Sequence, residues 1–372
     1  MKNPSPFERS LEEIVETLAM PLPVTASSLP RESVSCFVSI LGFEPRCVSA
    51  AQDLVARGFH SDTAICVNYA HPNMPENLRH KEDLYQAIRQ ITQGLDATPL
   101  TYDDHDFASD FGEILLDTLS KEGVDCSSPD TSIVFDITVG SSRLLLEGLH
   151  MLFGTNVCLY LAYSEASEYR PLFSEYLELR EERHANPPLP DFLTLGIDRI
   201  ELLKRIPGTG ADARPSYLVV FPSFTPTRIG AVLEELSPNR VHWLFGLPHR
   251  MQNRWRLDAQ REFHEHLVQR LHRSCYVSTF DYRETLDVLN KIYERRKNDY
   301  TILICSCGSK LQKVGQVLFH ILRPEVGAVV SVPKKWDSER YSSEPPHRTY
   351  LLNMGNCASI RRELQLTKTL RL

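Results

Sequence analysis

The chain has 372 residues, 42% of them hydrophobic, and 48 acidic against 41 basic side chains give it a net charge of −7. This length leaves room for two domains with a sizeable core each, and the composition is that of a soluble globular protein. The acidic balance weighs against a broad nucleic-acid-binding face, which needs clustered Lys and Arg. No apolar run reaches the roughly 20 residues of a membrane span and the first residues lack a signal-peptide core, so we expect a cytoplasmic protein without membrane contact.

The nine cysteines are scattered along the chain rather than framed for disulfides or a metal. Cys305 and Cys307 are two residues apart, whereas zinc sites usually space paired cysteines more widely. The Gly-containing run at residues 207–210 lacks the Lys and the spacing of a phosphate-binding P-loop. We therefore expect neither a metal nor a cofactor.

Residues 7–20 carry apolar side chains at helical spacing, which predicts an N-terminal amphipathic helix. After it, apolar runs alternate with helix-like segments, and this order predicts parallel sheets built from βαβ units. The runs expected to form strands in the first half are residues 35–41, 63–69, 98–103, 132–135 and 156–162. Those in the second half are residues 216–221, 241–247, 275–281, 301–305 and 326–332.

The second half of the chain repeats features of the first. A strand, a Pro-bearing loop and an arginine occur in both, with Arg46 in one half and Arg228 in the other. A strand, a small-residue turn, a basic residue and a helix also recur, and here Arg143 aligns with Lys310. We interpret the chain as two tandem Rossmann-like α/β domains, each a doubly wound parallel sheet of about five strands, related by internal duplication. The alternative is that any two doubly wound domains share this rhythm.

A proline-rich segment separates the two copies. The predicted organisation is an N-terminal helix at 1–30, a first domain at 31–183, a linker at 184–211, a second domain at 212–345 and a strand/helix tail at 346–372. Pro187, Pro188 and Pro190 mark the linker, and residues 198–205 read as a short helix within it. The N-terminal helix and the tail offer apolar faces to cover the joint, so we expect the domains to pack together.

The loops that follow the strands are expected at the carboxyl edges of the two sheets, where open parallel sheets bind ligands. A small-residue turn that opens a helix brings backbone N–H groups to an anion, and basic side chains add fixed charge. The candidate ligand-binding residues are Glu44, Arg46, Ser141, Ser142, Arg143, Arg228, Gly308, Ser309 and Lys310. The structural alternative is that each basic side chain is neutralised by a nearby acid, for example Glu44 or Asp136.

These loops also carry a family resemblance. Residues 42–46 with 140–143, and residues 223–228 with 308–310, resemble the CRISPR-associated Rossmann-fold (CARF) sensor domains. The resemblance implies two domains that meet and bind a signalling nucleotide across their joint face, in the context of bacterial defence against phage. The sequence departs from the family pattern at Arg143, where a Lys is usual, and shows no appended effector nuclease domain.

Three classes of function fit these observations. A nucleotide sensor or adaptor, acting with a separate effector protein, explains the basic turns and the lack of a convincing catalytic set, and we favour it. An enzyme acting on a nucleotide or phosphoester would need a positioned base or metal, with Glu44, Asp136 and residues 103–106 as candidates. A structural subunit of a multiprotein complex would use its basic side chains in internal salt bridges. The sequence identifies no catalytic residue.

Overall fold

The computed structural model describes residues 10–30, 33–70, 74–183, 191–209, 214–268, 272–339, 341 and 346–369. The strands are β1 (Leu22–Pro23), β2 (Val34–Leu41), β3 (Ser61–Tyr69), β4 (Thr98–Tyr102), β5 (Ser132–Asp136), β6 (Cys158–Ala166), β7 (Thr194–Leu202), β8 (Ser216–Phe221), β9 (Arg240–Leu247), β10 (Arg273–Ser278), β11 (Thr301–Ser306), β12 (Gly327–Trp336) and β13 (Pro346–Asn356). The helices are α1 (Leu11–Thr17), α2 (Ser49–Val55), α3 (Met74–Asn77), α4 (Lys81–Ile91), α5 (Phe111–Lys121), α6 (Ser142–Phe153), α7 (Phe173–Arg183), α8 (Pro226–Leu236), α9 (Trp255–His264), α10 (Tyr282–Arg296), α11 (Lys310–Leu322) and α12 (Cys357–Thr369).

The strands form two sheets with equivalent topology. The first sheet has the order β1-β13-β6-β5-β2-β3-β4 and the second has the order β10-β9-β8-β11-β12-β7. In each sheet, five parallel strands follow the same winding along the chain, and an antiparallel strand joins them on one side. The first sheet gains one more antiparallel strand, because the short β1 pairs with β13. The prediction of two Rossmann-like α/β domains is confirmed, and every strand predicted from the apolar runs is present.

The central strands are apolar along their whole length because both faces of each sheet are covered. Alternate residues of β2 belong to different cores: Val38 lies in one and Phe37 in the other. The second domain repeats this pattern, with Val219 on one face of β8 and Val220 on the other. The core that contains Val38 also contains Val219. One continuous apolar core therefore joins the two domains, which pack together as expected.

The two domains exchange their antiparallel edge strands. Strand β7 follows β6 in the chain but pairs with β12 in the second sheet, and β13 follows β12 but pairs with β6 in the first. The prediction of a helix at residues 198–205 is therefore wrong, because Thr194–Leu202 is a strand. The spacing of Ile197 and Ile200 reads as helical, but pairing with the open edge of β12 overrides it.

Helices cover the joint between the domains. Helix α6 packs against α11, and α1 packs against α10 and α12. Ser10 caps α1 through reciprocal hydrogen bonds with Glu13, so the described helix begins at Leu11, and it ends at Thr17, before the predicted end at residue 20. Residues 7–9 of the predicted helix lie outside the described residues. The domain boundaries remain a prediction, since residues 184–190 of the linker are also outside. Among the described helices, none is long and apolar enough to cross a membrane.

In each sheet the winding reverses between two neighbouring strands, β2 and β5 in the first and β8 and β11 in the second. Doubly wound sheets bind ligands at the carboxyl ends of such strands. The Pro45–Cys47 turn follows β2, and Ser141 caps the helix that follows β5. In the second domain, α8 follows β8 and Ser309 caps the helix that follows β11. The predicted turns therefore lie at the two reversal points.

Candidate ligand-binding site

A cavity of about 190 Å³ lies between the two domains at the carboxyl ends of their strands. Side chains from both domains line it, including Arg46, Ser142, Tyr163, Glu165 and Tyr169 from the first and Arg228, Ser309, Lys310, Lys313 and Trp336 from the second. A smaller cavity of about 30 Å³ is lined by Glu44 and Ser141 and shares Lys310 with the larger one. Gly308 also lines the larger cavity. Every predicted site residue except Arg143 therefore lines one of the two.

The two domains hold an arginine in the same way at this edge. In the first domain, Arg46 donates a hydrogen bond of 2.9 Å to the carbonyl of Ser164 and its guanidinium lies 5.5 Å from the ring centre of Tyr169. In the second, Arg228 donates to the carbonyl of Ser331, and its guanidinium lies 5.5 Å from the ring centre of Trp336. Ser331 and Trp336 have the same spacing in the chain as Ser164 and Tyr169, which supports the duplication.

The two arginines differ in their charge partners. Glu44 neutralises Arg46 through hydrogen bonds of 2.8 and 3.2 Å to both of its carboxylate oxygens, and both side chains are buried. In the second domain Pro226 stands two residues before Arg228, where the first domain has Glu44 before Arg46. Arg228 is 4% exposed, and its Nε has no hydrogen-bond partner within the described structure.

Two lysines on the first turn of α11 reach the same cavity. Lys310 donates to the carbonyl of Gly140 in the first domain, and Lys313 donates to the carbonyl of Gly308 at 2.6 Å. Neither forms an ion pair with a described residue. Burial lowers the pKa of Lys310 to about 8 and that of Lys313 to about 7. Lys313 was not predicted, although a lysine on the apolar side of a helix is a signal of a buried charge.

Arg143 takes no part in either cavity, and this prediction is corrected. Its Nε lies 3.1 Å from carboxylate oxygens of Glu147 and Glu201, and its remaining N–H groups donate to the carbonyls of Asp104, Asp106 and Ser109. The reason is helical register. Ser141 and Ser309 are both N-caps, so Arg143 is the second residue of its helix whereas Lys310 is the first. One residue turns a side chain by about 100° around the helix.

The loop after β9 fastens the first domain to the second. Arg250 donates to the carbonyls of Ala166 and Ser167, at 3.2 and 2.8 Å, and its Nε lies 3.5 Å from a carboxylate oxygen of Glu165. Arg256 donates to the carbonyls of Tyr169, Arg170 and Pro171. Two arginines of this loop therefore bridge the domains.

Glu165 is the acidic group of the larger cavity. Its side chain is 5% exposed, and burial raises its pKa while Arg250 opposes that shift. Its Oε2 is buried and has no hydrogen-bond partner among the described residues. Among the described residues, four buried polar atoms of the cavity lining lack a hydrogen-bond partner: Glu165 Oε2, Ser223 Oγ, Arg228 Nε and Arg250 Nε, the last of which lies 3.5 Å from Glu165 Oε1.

The candidate acid–base residues are engaged by their neighbours. Asp104 accepts a hydrogen bond of 2.8 Å from the hydroxyl of Ser141, and Asp136 accepts one of 2.9 Å from the backbone N–H of Thr138. Burial raises the pKa of Asp136 to about 6, but the side chain lines neither cavity. Within the described part of the chain, no three His, Cys, Asp or Glu side chains cluster as metal ligands would.

Comparisons with known proteins add little to this geometry. No family model and no curated protein matches the chain. Among solved structures, Can2 from Sulfobacillus thermosulfidooxidans in complex with cyclic tetra-adenylate is similar at 17% identity and a TM-score of 0.24. The match covers 31% of this chain and 31% of Can2, so it spans about a third of each. A likeness at this level says nothing about the ligand of the present protein.

Proposed function

We propose that this chain is a non-catalytic sensor or adaptor subunit that binds a nucleotide or another phosphate-bearing ligand in the cavity between its domains. The observation that carries the proposal is Arg228, a buried arginine that lines the cavity and whose Nε has no acceptor in the part of the chain that the structure describes. A buried donor without an acceptor costs free energy, and a bound anion would supply that acceptor.

The surroundings of Arg228 support an anionic ligand. Lys310 and Lys313 line the same cavity and donate only to backbone carbonyls, so their charges are not balanced by a carboxylate within hydrogen-bond distance. Helix α11 begins at Lys310 and contributes the partial positive charge of its N-terminus. Phosphate oxygens would accept charge-assisted hydrogen bonds from such a group of donors.

Sensing is favoured over catalysis because of where the cavity lies and what the nearby carboxylates do. A ligand that contacts both domains stabilises the relative arrangement of the domains in which all of these contacts form. A partner protein can recognise that arrangement. Glu44 is paired with Arg46, while Asp104 and Asp136 line neither cavity and accept hydrogen bonds from Ser141 and Thr138. The resemblance of the two turns to CARF sensor domains supports a role in anti-phage defence with a separate effector protein.

The proposal is tested by identifying what the protein binds. Small molecules released from purified protein are analysed by mass spectrometry, and the nucleotides found are then titrated into wild type and Arg228→Gln by calorimetry. Lys121→Gln is the matched control, because it removes one exposed positive charge that is paired with Asp117 far from any proposed contact. We expect binding to fall in Arg228→Gln and to persist in Lys121→Gln. Equal binding by all three proteins would contradict the proposal.

A further inference from the structure

Charged side chains are unevenly distributed over the lining of the larger cavity. The inference drawn from this distribution rests on the proposed function and refines it. Four cations of the lining form no ion pair with a described carboxylate, and all come from the second domain: Arg228, Arg256, Lys310 and Lys313. Arg228 and Lys313 are 4% and 2% exposed, so water does not solvate them fully. A single anionic group would find its donors at this end of the cavity.

The remaining cations of the lining are already occupied. Arg46 is paired with Glu44, Arg170 with Glu175 and Arg250 with Glu165. Arg256 directs its terminal N–H groups to three carbonyls of residues 169–171. Carboxylates therefore balance Arg46, Arg170 and Arg250, whereas Arg256 keeps its charge and directs its terminal N–H groups into the wall of the cavity.

Glu165 gives this second end a chemical preference of its own. Its Oε2 is a buried acceptor without a donor, and the aromatic side chains of Tyr163 and Tyr169 lie on the same wall. A neutral group that carries N–H or O–H donors, such as a nucleobase or a ribose, satisfies this oxygen. A phosphate there would lie near the carboxylate of Glu165, whose charge Arg250 offsets only from 3.5 Å, and like charges at short distance repel.

We infer that the cavity takes a ligand with one anionic end, a mononucleotide with a terminal phosphate, held by Arg228, Lys310 and Lys313, with its neutral part against Glu165. The duplicated fold would suit a two-fold symmetric ligand by shape, but the two halves of the cavity no longer match in charge. Glu44 and Glu165 belong to the first domain, and their positions in the second domain are held by Pro226 and Val332, which carry no charge.

Binding of three kinds of probe tests this inference. The four common 5′-mononucleotides, their nucleosides and cyclic tetra-adenylate are each titrated into the full chain by calorimetry. We expect at least one 5′-mononucleotide to bind about tenfold or more tightly than its nucleoside and than cyclic tetra-adenylate, since one charge-assisted hydrogen bond is worth at least that factor. Arg228→Gln should remove the advantage of the phosphate.

A second variant separates charge from size. Glu165→Gln keeps the shape of the side chain, removes its charge and releases Arg250 from its ion pair. We expect this variant to bind cyclic tetra-adenylate more tightly than wild type does, by about tenfold. Lys121→Gln again serves as the control, and the thermal midpoint of each variant shows that it is folded.

The possible results separate failure of the mononucleotide inference from failure of the proposed nucleotide-binding function. Wild-type protein that binds cyclic tetra-adenylate as tightly as, or more tightly than, every mononucleotide would overturn the inference and leave the proposed nucleotide site standing. A Glu165→Gln variant with unchanged affinities for all probes would also overturn it. If no phosphate-bearing probe binds, or Arg228→Gln binds them all like wild type, the proposed function fails as well.

Discussion

The two arginine sites of this molecule are built on one plan and differ in one decisive respect. Arg46 and Arg228 occupy equivalent loops, donate to equivalent carbonyls and lie over equivalent aromatic rings. Arg46 has the carboxylate of Glu44 beside it, whereas the residue at that position before Arg228 is Pro226. The first site is closed by its own ion pair, and the second keeps a buried donor with no acceptor among the described residues.

This difference shows how a duplicated fold can divide its tasks. The ion pair between Arg46 and Glu44 holds the loop after β2 and contributes to the wall of the cavity. Arg228 lies near Lys310 and Lys313, and none of the three forms an ion pair with a described carboxylate. Part of the opposing charge comes from Glu44 near Lys310 and from the Cys307 thiol, whose pKa is lowered by its hydrogen bond with Cys305 and by the charges of Arg228 and Lys313. Changes at the first site should therefore affect stability, and changes at the second should affect binding.

The largest effect is expected at the first site. Arg46→Gln leaves Glu44 buried without its arginine, which should lower the free energy of unfolding by about 3–5 kcal/mol. Chemical denaturation of wild type and variant measures this. The double variant Glu44→Gln, Arg46→Gln is the control, because it removes both charges and should recover much of the loss. A single variant as stable as wild type would show that the pair is not needed to hold this loop.

Replacement of Lys313 should raise the free energy of unfolding, whereas replacement of Arg46 lowers it. The pKa of Lys313 is about 7 in the folded protein and 10.5 for an ordinary lysine, so between these values the unfolded chain binds more protons and stability rises with pH. Lys313→Met should lack this rise and should be more stable than wild type at pH 7, by about 1–4 kcal/mol. Lys310, Arg228 and Cys307 surround this amine and remain in both proteins. If the unfolding free energies of wild type and Lys313→Met changed by the same amount between pH 6 and pH 10, the account would be contradicted.

At the second site the effect falls on affinity. Arg228→Gln should lose about 1.5–3 kcal/mol of binding free energy for a phosphate-bearing ligand, the range for a hydrogen bond to a charged group. Its unfolding free energy should change less than that of Arg46→Gln, because no carboxylate is left behind. Calorimetric titration and denaturation of the two single variants test this contrast. Equal stability losses in both would mean that Arg228 is as structural as Arg46.

The helix caps give the smallest expected difference. Ser309→Ala removes the N-cap of α11 and should cost about 1 kcal/mol. Ser141→Ala should cost more, because the Ser141 hydroxyl donates to the buried carboxylate of Asp104, whereas the Ser309 hydroxyl donates to the neutral carbonyl of Thr279. Thermal unfolding of the two variants compares them. A larger loss for Ser309→Ala would show that the hydrogen bond to Asp104 contributes little.

The amino-acid sequence was sufficient to predict the repeated fold and to name residues that line the two cavities, while their role in binding stays a prediction. Apolar runs at a regular spacing define the parallel strands, because strands covered on both faces must be apolar throughout. The position of Arg46 and Arg228 after equivalent strands was enough to place both at the carboxyl edge of a sheet. The reversal points of the winding then bring these loops together.

Three features depend on contacts that a single sequence does not contain. Residues Thr194–Leu202 form a strand because they pair with β12 of the second sheet. Their sequence pattern alone predicted a helix. Arg143 was aligned with Lys310 by residue type, and a shift of one position in the helix was enough to direct it into the first domain. Glu165 and Lys313 became part of the site only through the packing of the two domains.

Locating the phosphate of a bound nucleotide tests the central claim most directly. Crystals of the protein with adenosine 5′-monophosphorothioate, or with the corresponding analogue of the mononucleotide that binds best, allow the sulfur atom to be found by its anomalous signal. The account predicts one sulfur position per chain, on the phosphate held within hydrogen-bond distance of Arg228 Nε and the amines of Lys310 and Lys313. A sulfur position beside Arg46 and Glu165, or two equivalent positions in the two domains, would contradict it.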